Sequence, residues 1–195
     1  MHRLLIATRN RHKTQELAAM LGAGFHIEDL SAHTDFPEVE ETGATFLDNA
    51  AIKAIAASNH FGGDTLVMAD DSGLEVDALG GAPGVRSARF ADPGANDRKN
   101  LELLLEKLTG VELRSARFRC VIAVARNGQV LASFDGACEG EIIGEARGSA
   151  GFGYDPVFVP TGHSETFAEI GAELKNQMSH RAKALKSALE WLKRL

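Results

Sequence analysis

Cysteine is nearly absent: Cys120 and Cys138 are the only two in 195 residues. Two thiols build no disulfide framework, and alone they make no zinc site. They lie on two stretches, 117–126 and 129–138, that read as a hairpin around Asn127-Gly128. A two-residue turn pairs Arg126 with Gln129, which sets Cys120 opposite Asp135 and Cys138 opposite Arg117. Unless a bulge shifts that register, the sulfurs face opposite sides and stay reduced.

Long apolar runs are missing as well. No stretch approaches the ~18 apolar residues that suggest a membrane span. The apolar part of Met1 to Ala7 is too short for a secretory leader. Both absences point to a cytoplasmic protein with no membrane partner. Net positive charge is the third absence. A formal charge of −6 argues against wrapping long nucleic acid, which draws on many lysine and arginine contacts to phosphate. It leaves room for a small anion in a local basic pocket. Repeats, low-complexity tracts and separable linkers are also lacking. A single domain over residues 1–195, 44% hydrophobic and 25% charged, is expected to bury a substantial core.

What is present alternates between strand and helix. Leu4-Leu5-Ile6-Ala7 and Thr65 to Ala69 read as short buried strands. Leu17, Ala18 and Leu21 recur at helical spacing, with Gly22 as the stop. Thr45 with Asp48 resembles a capping box opening an alanine-rich helix from Phe46 to about Phe61, with Asn49 and Lys53 on one face. A further helix is expected from Lys99 to Leu108, a short strand at Val157-Phe158-Val159, and a last helix from about Ser179 to the end. That helix carries an apolar stripe of Ala182, Leu185, Leu189 and Leu192. The pattern implies an α/β fold with a mixed sheet.

Five clusters carry chemistry. Thr8, Arg9, Asn10, Arg11, His12 and Lys13 lie between a strand and a helix, where hydroxyl, amide and cationic donors suit an oxyanion. The loop is not a Walker A sequence, and it also reads as a solvated turn in which Asn10 caps the helix. Asp70-Asp71-Ser72-Gly73 sets adjacent carboxylates where a buried strand is expected to end, a natural place for a hard divalent cation. Side chains alternate along a strand, so one of the two acids faces the site and the other caps or orients. A turn or helix cap is the plainer reading. Glu40-Glu41 reads as a negative approach to the helix at residue 45; beside Asp71 in space, Glu41 completes a metal site. Gly151-Phe152-Gly153-Tyr154-Asp155 offers a ring to stack on a base and a carboxylate for a base edge, or simply plugs a loop. Lys175 with Ser179-His180-Arg181 puts cations in a helix's first turn, which the helix dipole disfavours unless an anionic or carbonyl partner is near.

Taken in order, these motifs resemble the inosine triphosphate pyrophosphatase family. Thr8-x-Asn10-x-x-Lys13, Glu40-Glu41-Thr42-Gly43 with Thr45-Phe46 and Asn49-Ala50, Ala69 to Leu74, Gly80-Gly81-Ala82-Pro83-Gly84 with Ser87-Ala88-Arg89, Gly151 to Pro156 and Ser179-His180-Arg181 are all similar to that family's pattern. The resemblance implies two lobes around a long twisted mixed sheet, with the active site in a cleft between them. It also implies a homodimer, one or more divalent ions, usually magnesium, and cleavage between the α- and β-phosphates of a purine nucleoside triphosphate. By position, Glu41 and Asp71 hold the metal, and Asp71 is also placed as proton acceptor. Thr8 to Lys13 and Ser72 hold phosphates. Phe152, Gly153, Tyr154, Asp155, Lys175, His180 and Arg181 hold base and sugar.

The chemistry that follows is mostly positioning and charge neutralisation. Lys13, Lys53 and the backbone of residues 8–13 offset part of the triphosphate charge. Lys53 joins Asp71 as a catalytic candidate. Either Asp71, or Glu41 acting through a water on the metal, takes the proton. Hypoxanthine and xanthine carry a 6-oxo acceptor where adenine carries an amino donor, so donors from Lys175, His180 or Arg181 select for them. Sites of this kind discriminate by roughly 10⁴–10⁵. Guanine shares the 6-oxo group, and its rejection must rest on its 2-amino group. The competing expectations are a related septum-associated nucleotide pyrophosphatase with other base specificity and a non-catalytic nucleotide-binding module.

Overall fold

Burial on both faces of a sheet explains the continuous apolar run near the N-terminus. The computed structural model describes residues 2–21, 25–94 and 96–195. Its six strands are β1 (His2–Ile6), β2 (Phe25–Asp29), β3 (Leu66–Val76), β4 (Ser115–Arg126), β5 (Gln129–Ile142) and β6 (Phe158–Pro160), in the order β2-β1-β3-β4-β5-β6. The sheet is mixed: β1 is parallel to β2 and β3, and β5 is antiparallel to β6. Among the described residues five α-helices accompany them: α1 (Arg11–Leu21), α2 (Phe46–Phe61), α3 (Asp97–Lys107), α4 (Ala172–Met178) and α5 (His180–Leu192). None of the described helices is long and apolar enough to cross a membrane.

Contacts divide the chain into two compact units. The first comprises Met1–Asp71, Cys120–Gly136 and Arg181–Leu195. Here β1 and β3 run in register, Leu4 beside Leu66 and Ile6 beside Met68. Strand alternation then sends their side chains to two cores. Leu4, Ile6 and Met68 meet Leu17 and Leu21 of α1 and Leu185, Ala188 and Leu192 of α5. Leu5, Ala7, Val67 and Ala69 meet Ala50, Ala54 and Ala57 of α2, whose small side chains let that helix lie close to the sheet. The capping box forms: Thr45 Oγ1 accepts from the Asp48 amide at 3.1 Å, and Asp48 Oδ2 accepts from the Thr45 amide at 3.0 Å.

The second unit comprises Ser72–Arg119 and Ala137–His180. Its core gathers Leu74 and Val76 of β3, Phe118 of β4, Cys138 and Ile142 of β5, Leu104 of α3, and Phe158 and Phe167.

Four expectations need correction or placing. β3 does not end at Ala69 but runs on to Val76, so Asp70-Asp71-Ser72-Gly73 lies inside a strand rather than in a turn or cap. Leu74 and Val76 give that continuation its own buried face. The β4–β5 register also differs. Arg117 pairs with Glu139 instead of lying opposite Cys138, while Phe118 shares a core with Cys138. The pairing is therefore offset by one residue from the turn's register, as a bulge produces. Both cysteines are nonetheless buried thiols outside any disulfide. Helix α4 was not expected, because only Lys175 of its seven residues is buried and it has no apolar stripe. The predicted stop at Gly22 lies outside the described residues; α1 is described through Leu21.

Candidate active site

The basic turn is built by its own side chains. Thr8 Oγ1 accepts from the Asn10 amide at 3.1 Å. Asn10 Oδ1 accepts from the amides of His12 at 3.0 Å and Lys13 at 3.3 Å, so Asn10 caps α1. The amides of residues 10, 12 and 13 are thus engaged internally. The Arg9 guanidinium donates to the carbonyl of Phe36 and lies 5.9 Å from the centre of that ring. Arg11 and His12 are exposed. Lys13, in the first turn of α1, reaches Asp70 Oδ2 at 3.1 Å.

Adjacent positions on β3 give the two aspartates separate surroundings. Asp70 is met by Lys13 and by Arg181, the first-turn residue of α5, whose Nη2 lies 3.3 Å from the same Oδ2. Arg181 also pairs with Glu16 of α1. The cation whose place in a helix's first turn suggested an outside partner therefore has two carboxylates of its own chain, and burial's pull on its pKa is overcome by them. Asp71 instead meets α2: Asn49 Nδ2 donates to its Oδ2 at 3.2 Å, and Lys53 Nζ lies 3.3 Å from its Oδ1. The same ammonium lies 2.8 Å from Glu41 Oε1 and donates to the Asp70 carbonyl at 2.8 Å. Asn49 and Lys53, four residues apart on one helix face, thus converge on one carboxylate. Ser72 follows Asp71 on β3 and is half-buried.

Around Asp70 the cations are Lys13 and Arg181, and Arg181 is shared with Glu16. Around Asp71, Lys53 pairs with both Glu41 and Asp71, and the Lys13 charge also acts on Asp71. Burial pushes the Asp71 carboxyl above its ordinary range, and the Lys53 and Lys13 ammonium groups only partly oppose it. Burial would lower the Lys53 pKa, but Asp71, Asp70 and Glu41 outweigh it, and the net shift is upward. Among the described residues no group of three or more histidine, cysteine, aspartate or glutamate side chains gathers for a metal. Glu41 and Asp71, two carboxylates converging on the Lys53 ammonium, nevertheless fit a hard divalent cation, of the kind that completes its shell with phosphate and water oxygens.

In the second unit, two left-handed glycines shape the loop: Gly151 at φ 76° and Gly153 at φ 61°. At Gly151 a Cβ would overlap Asp155 Oδ2. That oxygen accepts from the Phe152 amide at 2.9 Å and from Lys175 Nζ at 2.7 Å. The Lys175 ammonium also lies 5.3 Å from the Phe152 ring centre and 5.6 Å from that of Phe167. Gly153 donates its amide to Asp97 Oδ2 at 2.8 Å. Tyr154 is buried and donates its hydroxyl to the Ser87 carbonyl at 2.8 Å; burial, then Asp97, pushes its phenol pKa up. His180 lies flat on Phe118, ring centres 4.8 Å apart and planes 12° apart. The helix break at Ser179 places it at the head of α5.

The first unit therefore brings together Lys13, Glu41, Lys53, Asp70, Asp71 and Arg181. The second brings together Phe152, Asp155 and Lys175. Three participants were not among the expected site residues. Glu16 sits three positions after Lys13 on α1, and Asn49 shares the Lys53 helix face; both signals were in the spacing. Phe118, under His180, left no local signal.

Residues 4–191 match the Ham1 family. A dITP/XTP pyrophosphatase of Desulforamulus reducens is 50% identical over 196 residues, covering 99% of this chain and 96% of that protein. A dITP/XTP pyrophosphatase of Geobacillus kaustophilus is 49% identical over 188 residues, covering 95% of this chain and 91% of the relative. Among solved structures, a HAM1 protein from Coxiella burnetii superposes with a TM-score of 0.89 at 38% identity, covering 100% of both chains. With a family match running almost end to end, relatives at half identity and a fold held in common, the chain belongs to the Ham1 family.

Proposed function

We propose that this protein hydrolyses deaminated purine nucleoside triphosphates, ITP, dITP and XTP, at the α–β phosphoanhydride, releasing the monophosphate and pyrophosphate. The observation that carries this is the trio Glu41, Lys53 and Asp71, two carboxylates and one ammonium within 3.3 Å. It supports the reading alongside full-length relatives named dITP/XTP pyrophosphatase.

Glu41 and Asp71 hold the divalent ion, taken to be magnesium. When bound, it neutralises phosphate charge and polarises the attacked phosphorus. Lys13 and Lys53 add positive charge, with Thr8, Arg9, Asn10, Arg11, His12 and Ser72 as further phosphate contacts. Asp71, whose proton affinity burial has raised, or Glu41 takes the proton of the attacking water. Phe152 offers a face for the base, and Gly153, Tyr154, Asp155, Lys175, His180 and Arg181 complete base and sugar recognition. For Arg181 the fit is indirect, since its guanidinium is engaged by Asp70 and Glu16. The resemblance adds a homodimer working in the cytoplasm; light scattering tests the dimer.

Pyrophosphate release across ITP, XTP, dITP, GTP, ATP and dTTP, with magnesium and with EDTA, tests the proposal. ITP, XTP and dITP are expected to turn over far faster than the rest, and only with metal. Comparable rates on ATP, or release in EDTA, overturn it.

A further inference from the structure

Asn49 is fully buried on α2, and its amide works at both ends. Its Oδ1 accepts from the Gly43 amide at 2.8 Å, while its Nδ2 donates to Asp71 Oδ2 at 3.2 Å. Because the acceptor end is fixed by a backbone N–H, the donor end must face Asp71; the amide cannot flip without losing both bonds. Gly43 is shaped for this contact. A Cβ there would come within 2.8 Å of the Asn49 backbone nitrogen and 2.5 Å of Asp48 Cβ, neither of which has freedom to yield. Gly43 lies two residues beyond Glu41. One buried side chain therefore ties the segment bearing one carboxylate to the other carboxylate. It also occupies one oxygen of Asp71, while the other oxygen lies toward Lys53.

We infer that Asn49 is a positioning residue that sets the spacing and orientation of Glu41 and Asp71 for a shared divalent cation. The inference rests on the proposal that these two acids hold that ion. Asn49 acts through the groups its amide joins, Asp71 and the segment at 41–43. Loss of the amide leaves the carboxylates present but unaligned, which weakens metal binding before it weakens nucleotide binding.

The test compares wild type with Asn49→Ala and Asn49→Ser by thermal melting, by Mn2+ binding to substrate-free protein in electron paramagnetic resonance, and by Mg2+ titration of pyrophosphate release. Both variants are expected to bind Mn2+ at least fivefold more weakly and to need at least fivefold more Mg2+ for half-maximal rate. The nucleotide KM at saturating Mg2+ should stay within twofold of wild type. Metal affinities within twofold of wild type in either folded variant overturn the inference, as does a loss confined to nucleotide KM. Failure of both variants to fold also overturns it, since Asn49 is then a residue of the fold. Wild-type protein that binds no Mn2+ sinks the metal assignment itself, a separate result.

Discussion

Arg181 places both Nε and Nη2 3.3 Å from one oxygen, Oδ2 of Asp70, and both side chains are almost completely buried. Lys13 Nζ approaches the same oxygen at 3.1 Å. Removing one member of a buried ion pair leaves the other charge uncompensated, at about 3–5 kcal/mol. Asp70→Asn should therefore destabilise the protein by an amount in that range, with Glu16 still holding Arg181. Urea unfolding measures it; a loss below about 1 kcal/mol would mean that Arg181 and Lys13 find other partners.

The neighbouring acid should behave in the opposite way. Burial raises the Asp71 pKa above the ordinary 3.8, so the folded chain holds that proton more tightly than the unfolded one. The resulting penalty is absent below about pH 3.8, sets in as pH rises from there, and is complete above the folded-state pKa. Asp71→Asn does not carry it. The variant's stability relative to wild type should rise between pH 4 and pH 7, while turnover falls by roughly 10²-fold or more as a proton acceptor is lost. Urea midpoints at the two pH values, paired with pyrophosphate release at pH 7, test both halves. A variant with near-normal turnover would remove Asp71 from the mechanism.

The contrast between these two aspartates also marks what sequence reasoning reached. Local signals were legible: the doubly buried run at Leu4 to Ala7, the Thr45 and Asp48 box, and the turn at Asn127-Gly128, where φ is positive at both residues. That the two acids would have separate surroundings also followed from strand alternation. The continuation of β3 through both carboxylates did not. Two adjacent acids inside a buried strand are tolerable only with cations supplied from residues 13, 53 and 181, and that supply is a fact of tertiary structure. Helix α4 escaped for a similar reason, since its one buried residue is a lysine held by Asp155.

Lys175 and Asp155 form the corresponding buried pair of the second unit, with 7% and 4% of their side chains exposed. Lys175→Met keeps an apolar stem near Phe152 and Phe167 but leaves Asp155 without its ammonium partner. Stability should fall by about 3 kcal/mol. Adding Asp155→Asn should recover part of it, a coupling of about 0.5–3 kcal/mol in a double-mutant cycle. If the pair recognises the purine, the double variant regains stability without regaining preference: its ITP-to-ATP ratio of kcat/KM should drop at least tenfold. A full ratio in the double variant would assign the pair to packing alone.

Lys53 carries the last prediction, because its ammonium lies between the two acids proposed to share a metal. Its folded-state pKa is raised above 10.5 by Asp71, Asp70 and Glu41, against the pull of burial. A raised lysine pKa contributes stability that is fully present below the unfolded value and disappears as pH climbs through the folded one. At pH 8, Lys53→Met should therefore be less stable than wild type by about 1.5–3 kcal/mol, the range for hydrogen bonds to charged groups. The gap should narrow above pH 10.5 as wild type loses the same ammonium charge. Magnesium distinguishes a structural lysine from one beside a metal site. With the ammonium gone, Glu41 and Asp71 both lose the Lys53 charge, and binding to the folded state alone raises its stability. Millimolar Mg2+ should raise the melting temperature of Lys53→Met more than that of wild type. Equal shifts would mean that the cation binds elsewhere.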